Sequence, residues 1–474
     1  MNDRINVPPA SWWLWCWMLV SLPVKAQVTS TDSSELRQKL DSVFSTIMEA
    51  EHIPGAAYII VKDGAILLKG GYGFTSLGEA IDRVDPDSTI FRIGSVSKTF
   101  TAMAVLQLAD AGKIDLHRPV NDYLKSIQVS SPFQKVITPA HLIDHSAGFD
   151  ELGGRRVFDL ADRIPLSEFL QERLIPIREP GVVSSYSSYG IALAGLLVEE
   201  VSGLPLEEYM RQHIWDPIGM QSTGMQLTDS VEERLSWGYE YRNGVNVPMA
   251  WEYYHTYPAS DINSTVVDMG KYLLLHLNDG KWNGRSILDK SYCDQMKYPE
   301  LRVHEKIESF AYGFYEEDIQ GFRTVAHGGD MLGYASFLAM VPEENLGAYI
   351  VHHHEGTRLR YEAMEVIMAH FSKGETERSE PQPIAQTTDL ARFTGHYQWS
   401  TFCHGCASGH RPPVHELVDN EDGTFSIFGR RFFQVAPLLF RSTDGERTMG
   451  FVTNAQGQVQ YMSTGGVNVF EKVD

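Results

Sequence analysis

The chain of 474 residues is poor in cysteine and in basic charge. It contains 4 cysteines, too few for a protein held together mainly by disulfides. Lysine and arginine total 40 against 61 aspartates and glutamates, which gives a formal net charge of −21. Such an acidic surface repels polyanions, so we expect no nucleic-acid partner.

Long apolar runs are also lacking. The apolar run at residues 12–24 is short of the ~20 residues that a membrane span needs, and no later run is longer. Arg4 precedes this run, and Val24-Lys25-Ala26 fits the small-residue rule for signal cleavage. We predict a signal peptide over residues 1–26, no membrane span after its cleavage, and a periplasmic or secreted bacterial protein. An uncleaved anchor is the alternative.

The length favours two domains, because a chain of this size exceeds what one hydrophobic core serves. A polar stretch with Pro381 and Pro383 predicts a linker over 373–388, which leaves domains at 36–372 and 389–474. The first domain shows a helical pattern over 36–51 and a strand hairpin with its turn at Lys62-Asp63-Gly64, then a helix-rich middle and returning strands. This order predicts an α/β (α+β) fold whose sheet is assembled from both ends of the domain. In the second domain, short strands alternate with turn signals, which predicts a small antiparallel barrel or sandwich. The predicted strands are residues 393–397, 425–428, 432–435, 449–453 and 459–462.

Three cysteines lie beyond the predicted signal peptide. Cys293 stands alone in a helical stretch and is interpreted as a buried small residue. Cys403 and Cys406 form a Cys-x-x-Cys, for which we predict a local disulfide or free thiols in an oxidising compartment. The alternative is a zinc site with nearby histidines, namely His404, His410 and His415. Because a second Cys-x-x-Cys is missing, we expect no metal and no cofactor.

Ser95 and Lys98 are the most informative pair in the chain. They lie one helical turn apart at the start of an apolar run that ends at Gly112, so Lys98 can reach the Ser95 hydroxyl. A desolvated lysine loses its proton readily and can act as a base, and a helix N-terminus favours a developing oxyanion. The pattern predicts a buried amphipathic helix with a nucleophilic serine at its mouth. A capping serine beside a solvated lysine is the alternative.

Two further motifs follow in order: Tyr186-Ser187-Ser188 after Pro180-Gly181, and His327-Gly328-Gly329. Together with the segment around Ser95, they resemble the serine hydrolase superfamily of class C β-lactamases, D,D-peptidases, D-aminopeptidases and β-lactamase-like esterases. The resemblance spans residues 36–372. It implies a β-lactamase/transpeptidase-like fold, with an antiparallel sheet flanked by helices and an inserted helical lobe. The second domain looks like the lipocalin-like barrels attached to some peptidase members.

The resemblance also implies catalytic roles. Ser95 is the nucleophile of an acyl-enzyme, and Lys98 and Tyr186 share the base and acid roles. A phenol beside an ammonium can have its pKa lowered, which suits Tyr186 to this part. The backbone N–H groups of Ser95 and Asp330 form the implied oxyanion hole.

The third motif stands at the substrate edge of the site. His327 takes the place where class C β-lactamases usually carry lysine, and Gly328 and Gly329 let a substrate backbone approach closely. His352-His353-His354 ends a strand and is interpreted as non-catalytic, because adjacent strand residues face opposite ways. Asp144-His145 resembles a loop position of the family and is interpreted as structural.

Ser188 departs from the family pattern, which usually has asparagine there. The asparagine amide bridges the lysine and the substrate's amide carbonyl, whereas a serine hydroxyl is shorter and offers one donor. Ser188, His327 and the second domain favour a peptidase or esterase with a small-molecule or short-peptide substrate over an efficient β-lactamase. The alternative is a weakly catalytic or non-catalytic module that binds cell-wall peptides or another ligand.

Overall fold

The computed structural model describes residues 30–78, 82–372, 390–406 and 411–473, with side chains from Ser33 onward. The predicted signal peptide, the predicted linker and His410 lie outside these residues. Within them, no single helix has the length and apolar character of a membrane span, although the bent pair Ser188–Ser202 and Leu206–Ile218 does by length and composition together.

A six-stranded antiparallel sheet lies at the centre of the first domain. Its strands are β1 (Gly55–Lys62), β2 (Ala65–Gly73), β3 (Tyr315–Ile319), β4 (Phe322–Met331), β5 (Tyr334–Val341) and β6 (Leu346–His352). Their order is β3-β4-β5-β6-β1-β2, with Tyr58 of β1 opposite Ile350 of β6. The sheet therefore joins both ends of the domain, which confirms the sequence prediction.

The hairpin β1-β2 forms where the sequence places its turn. Asp63 and Gly64 have φ of +51° and +82°, the left-handed values that a two-residue hairpin turn requires. The Asp63 N–H also donates to the Asn345 carbonyl at 2.9 Å, which ties the turn to the neighbouring β6.

Helices cover both faces of the sheet. One face is covered by α1 (Ser30–Ala50) and α5 (Arg358–Phe371), with a core around Phe44, Tyr58 and Met364. The other faces the helical lobe, whose long helices are α2 (Ser97–Asp110), α3 (Ser188–Ser202) and α4 (Val266–Leu277). Shorter helices complete the lobe and its margins: Pro139–Ile143, Leu166–Gln171, Leu206–Met210, Asp216–Ile218, Asp229–Glu232 and Lys290–Gln295. Short strands pair as Phe91–Arg92 with Asn263–Ser264, Arg156–Val157 with Tyr253–Tyr254, Tyr239–Arg242 with Val245–Pro248, and Lys281–Trp282 with Arg285–Ser286.

Helix α2 is buried on nearly every side, so the prediction of an amphipathic helix was wrong. Of its residues, only Gln107 and Asp110 fall outside the buried set. Phe100 stacks on Tyr272 of α4 with ring centroids 3.9 Å apart. The helix runs through the middle of the lobe, and Lys98 is buried together with it.

The second domain is a closed antiparallel barrel rather than a sandwich. Phenylalanines fill its interior, with Phe393 and Phe451 rings 4.7 Å apart. Cys403 and Cys406 form a disulfide, as predicted, and Cys293 is a buried free thiol. The barrel strands are Gly395–Trp399, Val414–Asp419, Thr424–Ile427, Arg430–Ala436, Leu439–Ser442, Thr448–Thr453, Val459–Ser463 and Val469–Lys472.

Candidate active site

Ser95 lies on the one-turn 3₁₀ helix Gly94–Val96 that leads into α2. Gly94 has φ of +55°, and a Cβ atom there would lie 3.0 Å from the Asp330 backbone nitrogen. Glycine is therefore needed for the Ser95 turn to pack against the end of β4. The N-cap of α2 is Val96 and makes no side-chain cap bond, so the interpretation of Ser95 as a capping serine is wrong.

Lys98 is buried beside the serine, with a side-chain exposure of only 1%. Its Nζ donates to the Ser95 Oγ at 3.0 Å and to the Ala259 carbonyl at 2.9 Å. Burial lowers the pKa of Lys98 to about 7, with the positive charge of Arg155 acting in the same direction and Glu151 opposing it. A large fraction of the amine is therefore unprotonated at neutral pH and can accept the serine proton.

Tyr186 lies on the loop that precedes α3. The N-cap of α3 is Ser187, whose hydroxyl accepts the Gly190 N–H at 3.1 Å, and this fixes the loop end. The Lys98 Nζ is 4.9 Å from the centroid of the Tyr186 ring. Burial raises the pKa of Tyr186 well above its ordinary value, and a hydrogen bond with Ser95 offsets this only in part. The expectation that the neighbouring ammonium lowers this pKa was wrong, so Tyr186 is protonated at neutral pH.

His145 contacts Tyr186 from the side of the lobe. Their ring centroids are 4.7 Å apart, and the His145 Nδ1 accepts the Ser187 N–H at 3.0 Å. Burial holds the pKa of His145 well below its ordinary value, so the imidazole is neutral. The sequence interpretation treated this residue as structural, whereas it forms part of the wall of the site. The Asp144-His145 motif gave no sign of this ring contact.

His327 projects from β4 toward the same space. Its Nδ1 donates to the Gly328 carbonyl at 2.6 Å, and its buried Nε2 has no partner within the described part of the chain. Burial lowers the pKa of His327 to about 3, and the charge of Lys98 acts in the same direction. A neutral imidazole with an unused acceptor therefore occupies the position where the resemblance implies a lysine.

The two glycines after His327 face opposite ways. A Cβ at Gly329 would lie 2.1 Å from the Ile93 carbonyl oxygen, so this glycine lets β4 lie against the turn that carries Ser95. A Cβ at Gly328 would point to the opposite face of the sheet, 3.5 Å from the Tyr315 hydroxyl. The backbone N–H of Gly328 donates to the Tyr315 hydroxyl of β3 at 3.0 Å.

Arg360 of α5 fixes the end of β4, a role that its sequence neighbourhood did not indicate. It is 2% exposed, and its guanidinium donates to the Gly329 carbonyl at 2.7 Å and to the Asp330 carboxylate at 2.9 Å. A third bond reaches the Ser336 carbonyl at 2.8 Å. Arg360 thereby holds the backbone that presents the Asp330 N–H beside the Ser95 turn.

The structure thus brings Ser95, Lys98, Tyr186 and His327 together at the junction of sheet and lobe, with Gly329 and Asp330 alongside. Ser188 is the first residue of α3 and is buried. Across the described ranges, no group of three or more His, Cys, Asp or Glu side chains could hold a metal ion.

Comparisons with known proteins show the family and the fold. A sequence profile described as Beta-lactamase matches residues 40–370. The chain is similar to Protein flp of Staphylococcus aureus (strain MW2), with 23% identity over 332 residues that cover 67% of this chain. The match covers 63% of flp, so the chain spans less than two thirds of that relative.

Two solved structures share the fold. The octameric penicillin-binding protein homologue from Pyrococcus abyssi has a TM-score of 0.61 and 22% identity, covering 92% of this chain and 100% of that one. A beta-lactamase/D-alanine carboxypeptidase from Pseudomonas syringae has a TM-score of 0.61 and 18% identity, covering 71% and 99%. The profile match extends over well above half of the sequence. The chain belongs to the Beta-lactamase family.

Proposed function

We propose that the protein is a serine hydrolase that cleaves an amide or ester bond of a small molecule or short peptide through an acyl-Ser95 intermediate. The observation that carries this proposal is the buried Lys98 amine, 3.0 Å from the Ser95 Oγ and with a pKa of about 7. Desolvation does not stabilise a lysine that has only a structural role. It does bring the pKa of a general base close to neutral pH, where the amine can accept a proton.

In the acylation step, Ser95 Oγ attacks the substrate carbonyl and its proton passes to the neutral Lys98 amine. The negative charge on the carbonyl oxygen faces the backbone N–H groups of Ser95 and Asp330. As the scissile bond breaks, the protonated Tyr186 hydroxyl donates to the leaving group and regains a proton from the Lys98 ammonium. Water then attacks the acyl-enzyme by the reverse proton path and releases the acid and free Ser95.

The substrate class is argued from two side chains. Ser188 has neither the reach nor the second donor of an asparagine amide, so an acylamino group on a substrate is poorly matched there. A neutral His327 also offers no positive charge to a substrate carboxylate. Both features favour peptidase-like or esterase-like turnover over efficient hydrolysis of penicillins and cephalosporins. Similarity to a penicillin-binding protein homologue and to a carboxypeptidase supports D-amino-acid peptides as one substrate group to test.

We further propose that the protein is exported and acts in a periplasm or outside the cell without a metal cofactor. This rests on the N-terminal sequence pattern and on the acid-base constellation, in which every step has a side-chain donor or acceptor. N-terminal sequencing of the mature protein tests the cleavage site, and EDTA treatment should leave activity unchanged.

The proposal is tested with a fluorophosphonate probe and a substrate panel. The panel holds nitrocefin, a short-chain p-nitrophenyl ester and D-alanyl p-nitroanilide. We expect the probe to label Ser95, and Ser95→Ala to abolish labelling and to lower turnover by roughly 10⁴-fold. Activity that survives in Ser95→Ala would overturn the mechanism. If folded wild type is neither labelled nor active while it still binds cell-wall peptides, the protein is the ligand-binding module that Ser188 alone suggests.

A further inference from the structure

The barrel contacts the two segments of the first domain that carry site residues. Its contacting part is residues 400–406, which follow its first strand and are called the barrel loop below. One contacted segment ends at Tyr186, and the other runs from His145 to Glu151. Both meet the barrel loop through buried hydrogen bonds.

The first contact lies one residue before Tyr186. The Ser185 hydroxyl is 2.9 Å from the Ser400 hydroxyl, and the two residues are 6% and 1% exposed. Arg178, at the start of the same segment, donates to the Ser400 carbonyl and to the Glu471 carboxylate at 2.7 Å each. The loop that carries Tyr186 is therefore hydrogen-bonded to the barrel both at its start, through Arg178, and near its end, through Ser185.

The second contact is built on Asp150. Its carboxylate accepts the backbone N–H groups of His404 and Gly405 at 2.8 and 3.0 Å, and the His404 Nδ1 lies at 3.1 Å. Both N–H groups belong to the ring closed by the Cys403–Cys406 disulfide. Asp150 is 2% exposed, so this is a desolvated and specific bond set.

Asp150 is directly joined to the site. The next residue, Glu151, accepts the Tyr189 N–H at 3.4 Å in the first turn of α3, and pairs with Arg155 at 3.0 Å. The Arg155–Glu151 pair acts on the charge state of Lys98. A displacement of Asp150 would therefore also displace Glu151, and with it the first turn of α3 that follows Tyr186 and the Arg155 side chain.

We propose that the barrel loop is a positioning element for the acyl-transfer reaction: Ser400 on Ser185 and the disulfide-closed turn on Asp150 hold the Tyr186 hydroxyl where it donates to the leaving group. This inference rests on the proposed function. None of the barrel residues need touch the substrate for it to hold. Misplacement of a catalytic group by about 1 Å can cost about 10²-fold in rate, so even a small shift is measurable.

The test uses the leaving group. Two substrates share one acyl group from the panel, and one leaves as p-nitrophenolate, which needs little protonation, while the other leaves as an alkoxide or alkylamine, which needs a proton from Tyr186. The quantity measured is the ratio of kcat/KM for the poor leaving group to that for p-nitrophenolate. Full-length Ser400→Ala and Asp150→Asn should each lower this ratio by about tenfold or more. The matched control, Asp444→Asn at an exposed barrel ion pair, should leave it unchanged.

Tyr186→Phe calibrates the experiment. It should lower the same ratio, and adding Ser400→Ala to it should lower the ratio no further, because both changes act on one proton transfer. If Tyr186→Phe leaves the ratio unchanged, the proposed role of Tyr186 fails. If Tyr186→Phe lowers the ratio but folded Ser400→Ala and Asp150→Asn do not, or if they slow both substrates equally, the barrel loop is not a positioning element.

Discussion

At the scale of single residues, burial shifts the pKa values of two neighbouring side chains, Lys98 and Tyr186, in opposite directions. It lowers the pKa of the Lys98 amine because the charged form is the protonated one, and raises the pKa of the Tyr186 phenol because its charged form is the deprotonated one. The same desolvation thus favours a neutral amine that can accept a proton and a protonated phenol that can donate one. These two protonation states support the proposed roles of Lys98 as base and Tyr186 as acid.

The first prediction concerns pH. Because Lys98 must be neutral to accept the Ser95 proton, kcat/KM should rise through about pH 7 to an alkaline plateau. Arg155→Met removes a positive charge that helps to keep this pKa low and leaves Glu151 unpaired, so its profile should shift to higher pH. Arg211→Met, at an exposed ion pair, is the control and should leave the profile in place. A flat wild-type profile from pH 5 to 9 would contradict the assignment of Lys98.

The second prediction concerns Ser188. Replacing it with asparagine restores two donors and an acceptor at the start of α3, which a substrate acylamino group could use. Ser188→Asn should raise the ratio of kcat/KM for nitrocefin to that for p-nitrophenyl butyrate by about tenfold, or ~1.4 kcal/mol. Ser187→Asn, at the neighbouring N-cap, is the matched control and should not raise it. An unchanged ratio in Ser188→Asn would show that another wall of the cleft sets the substrate class.

Residue-level prediction from the sequence succeeded where the geometry is local. The helical spacing of Ser95 and Lys98 fixes their approach, and the structure has it at 3.0 Å. His145 and Arg360 come from distant parts of the chain, so no spacing rule could have pointed to them. The direction of the Tyr186 pKa also depends on the desolvation of its hydroxyl, which only packing determines.

At the scale of elements, the site depends on how closely β4 lies against the turn before α2. That approach is possible because both elements carry glycine at the contact, Gly329 and Gly94. The Ser336 hydroxyl adds a bond of 2.8 Å to the Ile93 carbonyl at the same place. The proposed oxyanion site therefore lies at the contact between these two elements and is sensitive to small changes in their separation.

The third prediction uses the two neighbouring glycines as a matched pair. Gly329→Ala places a Cβ 2.1 Å from the Ile93 carbonyl oxygen and must push β4 away, whereas Gly328→Ala finds ordinary contact at 3.5 Å. We expect Gly329→Ala to lower kcat by about 10²–10³-fold, comparable with the loss of one oxyanion donor. Gly328→Ala should stay near wild type, with Tm measured for both variants. If the two variants lowered kcat equally, the site would not depend on the close approach of β4 to the turn that carries Ser95.

Element-level prediction was reliable where local signals were strong. The hairpin turn at Asp63-Gly64 and the core strands of the first domain followed from their sequence patterns. Three barrel strands were missed: Val414–Asp419, Leu439–Ser442 and Val469–Lys472. The first exposes its apolar residues Val414 and Val418, and the other two have only 4 residues each, too few to show an alternation. Their pairing is decided by closure of the barrel, which a single segment does not reveal.

At the scale of the whole molecule, the two domains are joined by buried charge rather than by apolar surface alone. Arg178 is 4% exposed on its side chain and pairs with Glu471 at 2.7 Å, and His404 lies between Glu471 and Asp150. Such a group of charges is costly to separate once desolvated, since each partner left alone would be a buried unpaired ion. This argues for domains that keep a fixed relative position while the site works.

The fourth prediction tests this charged contact between the two domains through the pH dependence of stability. Burial lowers the pKa of His404, but the carboxylates of Glu471 and Asp150 outweigh burial and the facing charge of Arg178, so the pKa is raised above 6.5. A raised histidine pKa gives stability that is fully present below about pH 6.5 and is lost as pH rises through the folded-state value. The Tm of wild type should therefore exceed that of His404→Gln most at about pH 6, and the gap should narrow toward pH 9. His117→Gln, an exposed histidine on the lobe, should show no such trend. A gap that stays constant across this range would mean that His404 holds the domains together without its charge.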